Sequence, residues 1–258
     1  MSCLVYCICP HPGPQPSGSL RGVGGKPVYQ VAHRCLSATF SRIGPADLTP
    51  DLPRLRAFAR VVHSYHQQGP IIPLRYGCTV PQESQLVDFF DQHYLHYEAL
   101  LKDLEGCVEM GVRILLPTAA LGGVSSGSPQ SCQEIAKSAN LQAPSRLGLA
   151  YLTARKAHYA RQDRWTREYR QAEERCLAHF QGLFVKAKIE GPSPRLPLLS
   201  LYFLVPTSRV EAFRQAFRRL TETQSARLLL SGPWPPYNFV TQGPRLFGNE
   251  KKEFLRGC

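Results

Sequence analysis

This chain of 258 residues has only two methionines and two tryptophans, and its 19 acidic side chains are outnumbered by 31 lysines and arginines. A bilayer-spanning helix needs roughly 20 consecutive apolar residues. The longest apolar run, Leu196 to Val205, falls far short of that, so no membrane partner is expected. The N-terminus has no basic segment ahead of an apolar core, and His11-Pro12-Gly13-Pro14 stands where such a core would continue, so no secretory leader is expected. Neither Cys-x-x-Cys nor His-Glu-x-x-His occurs, which removes the usual paired zinc ligands. Pro and Gly are abundant, 22 and 20, but without a Gly-X-Y period, and collagen is excluded. The nine cysteines are odd in number, in a chain long enough to fold without covalent staples. Reduced thiols and a cytoplasmic location are the expectation, with no metal and no cofactor.

What is present is enough for a packed core: 43% hydrophobic and 10% aromatic residues. The length suits one large domain or two small ones. Charge favours two. Residues 1–116 hold 10 basic and 9 acidic side chains, whereas residues 117–258 hold 21 and 10, so nearly all of the net +12 lies in the second part.

Hydrophobic periodicity gives the element order. Leu4 to Cys9 is a β-prone run stopped by Pro10, and residues 10–27 read as a loop. Val28 to Phe40 fits two short strands or one bent one. From Asp51 to Gln68, Leu52, Leu55, Phe58, Val62 and Tyr65 recur at helical spacing, and Gly69-Pro70 stops the helix. Ile71 to Tyr76 reads as a short buried strand. A second helix, Glu83 to Leu104, has a broad apolar stripe and an acidic opposite face. Cys107 to Leu116 closes this half as a strand. The pattern predicts an α+β sheet with two helices over one of its faces.

Residues 118–146 are rich in Gly, Ser and Pro and poor in apolar side chains, so the boundary is expected there: an N-terminal α+β domain over 1–117, a linker over 118–146, and a C-terminal domain over 147–258. Leu147 to Phe184 reads as a helix. Unbroken, it would run about 55 Å at ~1.5 Å per residue, so a break near His158 or contact with both domains is expected. Leu198 to Val205 is a strand, Ser208-Arg209-Val210-Glu211 matches a capping box, and Arg227 to Ser231 returns as a strand. Strand, helix and strand of this size form the split βαβ of ferredoxin-like folds.

Several patterns invite chemistry. Gly123-Val124-Ser125-Ser126-Gly127 matches the serine-hydrolase G-x-S-x-G, with Asp163 and His179 following in order. That chemistry needs the serine on a strained strand-to-helix turn, and here it lies in Ser/Gly-rich sequence with no helix directly after. Two histidine pairs, His63/His66 and His93/His96, are three apart on helices; Cys3, Cys7 and Cys9 share a strand face, as do His33 and Cys35. Without tight ligand pairs these read as core residues. Gly22 to Pro27 resembles a phosphate loop, but Pro27 occupies the position of the metal-binding hydroxyl, leaving a turn.

The helix over 155–175 carries Arg155, Lys156, Arg161, Arg164, Arg167, Arg170 and Arg175, interleaved with Tyr159, Trp165 and Tyr169. That mixture could meet phosphates and stack on bases, giving nucleic-acid binding as the alternative function. Interspersed acids and the lack of any recognised motif weigh against it. The most specific feature is Pro233-Trp234-Pro235-Pro236-Tyr237: prolines hold the chain extended, so both rings are positioned at low entropic cost. The rings either anchor the chain on a sheet or form a ridge that docks a partner.

Four segments carry a resemblance to a known family: Pro70-Ile71-Ile72-Pro73-Leu74-Arg75-Tyr76-Gly77, Gly106 to Val112, Gly148-Leu149-Ala150-Tyr151-Leu152, and Leu230 to Phe239. In order and spacing the chain resembles the GvpL/GvpF gas vesicle accessory proteins along nearly its whole length. Tyr76 stands where that family usually has Phe, Cys107 where it often has a basic residue, and Cys7 where Gly is common. The resemblance implies a two-domain, modified ferredoxin-like, non-enzymatic protein of the cytoplasm and gas vesicle. Its implied partners are the hydrophobic shell subunit (GvpA type) and further accessory proteins. Arg75, Tyr76, Trp234, Pro235, Pro236, Tyr237 and Phe239 are the residues expected to form the partner surface or its scaffold.

Overall fold

An apolar strand with no polar alternation must be covered on both faces, and Cys3 to Cys9, seven consecutive buried residues, is such a strand. It lies within β1 (Ser2–Pro10) of a computed structural model that describes residues 2–13, 20–115, 155–156, 159, 166–191, 198–223 and 226–240. The segment 118–146, the G-x-S-x-G match, Asp163, Trp165 and the segment 148–152 lie outside the described residues.

Around β1 are β2 (Tyr29–His33), β3 (Leu36–Ile43), α1 (Leu52–His66), β4 (Ile72–Pro73), β5 (Thr79–Val80) and α2 (Ser84–Leu104). The antiparallel sheet has the order β2-β3-β1-β4, with β5 also paired to β1. Val5 pairs with Phe40 and Cys7 with Thr39, so Tyr6 is the extra residue of a bulge. The bulge divides the side chains. Cys3, Val5 and Ile8 pack with Phe90, Tyr97 and Leu101 of α2. Leu4, Tyr6, Cys7 and Cys9 pack with Phe58, Val61, Val62 and Tyr65 of α1. The two helices therefore cover opposite faces, not one, and Cys3 faces away from Cys7 and Cys9. The strand's two apolar faces account for the first correction and the inserted residue for the second.

The caps are local. Asp51 accepts the Arg54 N–H at 2.7 Å to start α1. Gly106, at φ +64°, takes the left-handed turn that ends α2 and feeds β6 (Cys107–Leu115). At this point the pairing departs from expectation. The strand is where periodicity put it, but it does not close the first sheet. It is an inner strand of a second one, ordered β7-β8-β6-β9, with β7 over Lys186–Glu190, β8 over Leu198–Pro206 and β9 over Arg227–Trp234.

Of the expected long helix, residues 155–156 and 159 are helical, and a continuous helix, α3, covers 166–179. With α4 (Val210–Thr223) the order becomes β6-α3-β7-β8-α4-β9. Strands β8 and β9 are both antiparallel to β6, which lies between them. That is the split βαβ, here within a full βαββαβ ferredoxin-like unit. Met110, Val112, Leu201 and Phe203 on one face meet Cys176 and Phe180 of α3 and Phe213 and Leu220 of α4. Phe180 and Phe213 stack at 4.2 Å between centroids.

The capping box does not form. Thr207 donates both its N–H and its hydroxyl to the Gly106 carbonyl, each at 2.8 Å. A 3-10 turn over Thr207–Arg209 therefore starts the helix early, and Ser208 is inside it rather than at the N-cap. The sheets share α2: Leu101 and Leu104 lie in one cluster with Val5 and Phe40 of the first sheet and with Cys107, Leu204 and Val240.

Two predictions concern stability. Tyr6, fully buried, donates its hydroxyl to Ser41 Oγ at 3.0 Å and accepts the Val23 N–H at 3.0 Å. Tyr6→Phe strands that amide, and denaturant unfolding should show a loss of about 1–3 kcal/mol. His66 has neither ring nitrogen hydrogen-bonded, and burial, with His63 adding, pulls its pKa down to about 4 from 6.5. Its neutral form is the one the fold accepts. Stability present above about pH 6.5 should be lost as pH falls toward 4. Thermal melting of His66→Leu across that window should lack this slope.

Candidate functional site

Among the described residues α3 and α4 cover one face of the second sheet, while on the other α2 reaches only one end, so most alternate residues there face outward without a helix over them. Register puts Lys186, Lys188 and Glu190 of β7, Ser200, Tyr202 and Leu204 of β8, Glu109, Gly111 and Arg113 of β6, and Leu229, Ser231 and Trp234 of β9 on that outer face. One end of it is closed by the segment 235–240, and among the described residues no segment closes the other.

The closing segment is the proline-rich one. Pro235 and Pro236 are buried, and Tyr237 and Phe239 are half-buried. Tyr237 packs in the α1-side core and Phe239 in the α2-side core, so consecutive aromatic residues reach opposite faces of the first sheet. Burial pushes the Tyr237 hydroxyl pKa up. Turns within the segment are held by Tyr237 N–H to Pro235 O at 2.8 Å and Phe239 N–H to Pro236 O at 3.2 Å. Trp234 is different: it remains 53% exposed at the start of the strap.

A carboxylate fixes the strap to the sheet. Glu109 is 5% exposed and accepts the Asn238 backbone N–H at 2.8 Å and the Asn238 Nδ2–H at 2.7 Å. Lys188 Nζ donates to the Asn238 carbonyl at 3.3 Å. Burial raises the Glu109 pKa, and the Asn238 hydrogen bonds and the Lys188 charge oppose that rise. Where strap meets strand the fit is tight. Gly232 has φ +109°, and a Cβ there would sit 2.6 Å from the Glu109 carbonyl oxygen. Only glycine is accommodated.

Arg75 and Tyr76 do not join Trp234. Arg75 is exposed in the turn after β4, closed by Cys78 N–H to Arg75 O at 3.2 Å. Tyr76 donates to the Asp47 carbonyl at 3.1 Å and meets Phe58 edge-on at 5.4 Å, in the α1-side core that also takes Tyr237. Of the seven expected residues, Tyr76, Pro235, Pro236, Tyr237 and Phe239 are packed, while Arg75 and Trp234 face solvent at separate places.

The other candidates resolve locally. Gly22 to Pro27 is a closed turn with the Gly22 N–H on the Lys26 carbonyl at 2.8 Å and Val23 buried. Burial pushes the Cys7 and Cys9 thiols up. His33 pairs with Asp91 at 2.7 Å, and His93 meets Phe89 edge-on at 4.9 Å. Among the described residues no three His, Cys, Asp or Glu side chains converge on a metal-sized site. On the basic helix Tyr169 is buried, its hydroxyl donating to the Leu198 carbonyl at 3.3 Å, so it offers no ring for base stacking. A groove of about 490 Å³ between α2 and β7 is bridged by the Asp103–Lys186 ion pair at 2.6 Å.

Sequence reasoning missed Glu109, Asn238 and Lys188. The legible signal was an acid inside an apolar strand, Val108-Glu109-Met110. It also passed over Leu228-Leu229-Leu230, three leucines in a strand with only one face covered by helices.

The chain matches the family described as "Gas vesicle synthesis protein GvpL/GvpF" over residues 2–241. It is 26% identical over 254 residues to Gas vesicle protein F of Streptomyces sp. (strain CB03234), covering 93% of this chain and 100% of that one. The fold is similar to the crystal structure of gas vesicle protein GvpF from Microcystis aeruginosa, with TM-score 0.69, 17% identity, and 93% and 98% of the two chains covered. It is similar as well to GvpF from Anabaena sp. PCC7120, with TM-score 0.67, 15% identity, and 94% and 97% covered.

Removing the Glu109 carboxylate should free the strap. In Glu109→Ala both Asn238 donors lose their acceptor, and the Asn238 amide should exchange with deuterium faster by at least about tenfold, as for a loss of about 1.4 kcal/mol or more. Glu109→Gln, which keeps one acceptor oxygen, should retain most of the protection.

Proposed function

Because the chain belongs to the GvpL/GvpF family, whose members are gas vesicle accessory proteins rather than a class of enzymes, we propose that it acts without catalysis, by binding the hydrophobic shell subunit (GvpA type). A subunit that builds an apolar, gas-facing wall exposes a large apolar surface before assembly, and such surfaces aggregate in water unless covered. A helper must therefore present apolar side chains of its own on a support that does not collapse around them. The observation that carries this reading is Trp234, 53% exposed and anchored at both sides. Behind it β9 pairs Trp234 with Glu109, and ahead of it the strap is pinned by Asn238.

The sequence-expected residues divide by role in this proposal. Trp234 touches the partner. Tyr237 and Phe239 hold it in place from within the first sheet's cores, and the buried Pro235 and Pro236 stiffen the link to them. Arg75 offers a separate exposed cation, and Tyr76 supports its turn. Further accessory proteins, a cytoplasmic setting and attachment to the vesicle belong to the same reading.

The test is co-expression of the tagged full chain with the shell subunit, together with a deletion strain. Retention of the subunit and loss of intact vesicles are expected. Recovery of no subunit together with normal vesicles would overturn the proposal. Trp234→Ala should weaken retention while unfolding free energy moves by only about 0.5 kcal/mol, as at an exposed position.

A further inference from the structure

Sheet edges carry unpaired backbone donors and acceptors, and proteins guard them with charge, brevity or cover. Three of the outer edges in this molecule are guarded. β4 and β5 are two residues each. β7, five residues long, carries Lys186 and Lys188. β2, also five residues long, has its Tyr29 ring under the Arg42 guanidinium at 4.8 Å and its His33 on Asp91 at 2.7 Å. β9 is unlike them. It is eight residues long, Arg227-Leu-Leu-Leu-Ser-Gly-Pro-Trp234; Pro233 and the adjacent register shift guard only its C-terminal end, residues 228–231 carry no charge, and among the described residues it pairs only with β6.

The outer face beside that edge is apolar as well. Leu229 is 65% exposed, Trp234 53% and Leu115 38%. Leu115 and Leu229 lie on the same face as Arg113, which is opposite Leu229 in the ladder, and Arg227, which is opposite Leu115. Both arginines are exposed, and neither has an ion pair among the described residues. The nearest carboxylate of that row, Glu190, is two strands away and accepts the Tyr202 hydroxyl at 3.1 Å. An occupant is thus asked for three things together: backbone that can add a strand, apolar side chains, and carboxylates within a residue or two of them.

We propose that the free edge of β9 is the docking site for an extended, apolar, carboxylate-bearing segment of the shell subunit, which adds to the second sheet as a fifth strand. The proposal rests on the function proposed above and names the surface on which it is exercised. Main-chain hydrogen bonds to β9 supply the attachment, Leu229 and Trp234 cover the segment's apolar side chains, and Arg113 and Arg227 set its register. The site runs along β9 from Arg227 to Trp234, where the strap begins and closes the face.

The test uses the full chain, immobilised, with co-expressed shell subunit as the probe. Leu229→Lys, which gives β9 the guard that β7 already has, should lower retained subunit at least about tenfold with an unchanged melting temperature. Arg113→Glu with Arg227→Glu should do the same and stands as the second variant should Leu229→Lys fail to fold. Val185→Lys, the same kind of change at a 57% exposed position beside β7, should leave retention intact. Wild-type retention matched by all the variants overturns the β9 site and leaves the functional reading standing. Absence of wild-type retention overturns the functional reading itself. A concentration-dependent self-association abolished by Leu229→Lys, with shell-subunit retention untouched, assigns the edge to a second copy of this chain and likewise overturns the proposal.

Discussion

A carboxylate taken out of water must be answered by donors, and at Glu109 both donors come from one residue, Asn238, 129 positions away in sequence. Much of the molecule's arrangement follows from that pair. Asn238 can reach Glu109 only if the chain turns back after β9, which the Gly232 conformation and the buried Pro235 and Pro236 permit. Once it has turned back, Tyr237 and Phe239 enter the two cores of the first sheet. One polar contact on β6 thereby couples the last strand of the second sheet to both helices of the first. The charge is not simply tolerated. Burial penalises it, two hydrogen bonds and the nearby Lys188 favour it, and the balance leaves the pKa raised but the contact intact.

The second consequence concerns which surfaces are left open. Sharing α2 between the sheets covers Leu204 and Cys107 at one end of the second sheet's outer face. Among the described residues nothing equivalent covers Leu229 at the other end, which is 65% exposed. Burying a leucine fully contributes roughly 1.5–3 kcal/mol, so an exposed one on a leucine-rich edge strand is a stabilisation left unrealised in the isolated chain. Isolated exposed leucines are ordinary. The combination here is less so, because among the described residues the same strand has no second neighbour and, after Arg227, no guarding charge.

Much of this architecture was legible in the sequence, and the failures have physical causes. The strands at Leu4–Cys9 and Cys107–Leu116, both helices of the first unit and the strand–helix–strand of the second were readable from periodicity, because each buries one or two definite faces. The bulge at Tyr6 was not, since a single inserted residue leaves no compositional trace and only the partner strand reveals it. Simple alternation without it places Cys3, Cys7 and Cys9 on one face. The continuous run Leu4-Val5-Tyr6-Cys7-Ile8-Cys9 did carry the information, since a strand apolar on both faces asks for cover on both. Partner choice for Cys107–Leu115 was equally hidden: a strand's own alternation says which side chains are buried, never which sheet receives them. In the proline-rich segment the residue types were right and their division of labour was not visible. Tyr237 and Phe239 are anchors, and Trp234 is the ring left outside.

That division explains what the prolines and the buried acid near the C-terminal strand do. An exposed apolar side chain on a pliable segment lowers its free energy by folding back onto its own chain, and it is then lost as a contact. Trp234 has no such option. Its backbone is paired to Glu109 on one side and followed by buried Pro235 and Pro236 on the other. Leu229 is held in the same way by the β6 ladder beneath it. Stiffness therefore converts residues that would otherwise be a folding liability into a surface that stays extended until something apolar arrives. The rigidity originates in buried contacts behind and beside that surface, at Tyr237, Phe239 and Glu109, so under the function proposed above a substitution there acts on partner capture through the strap.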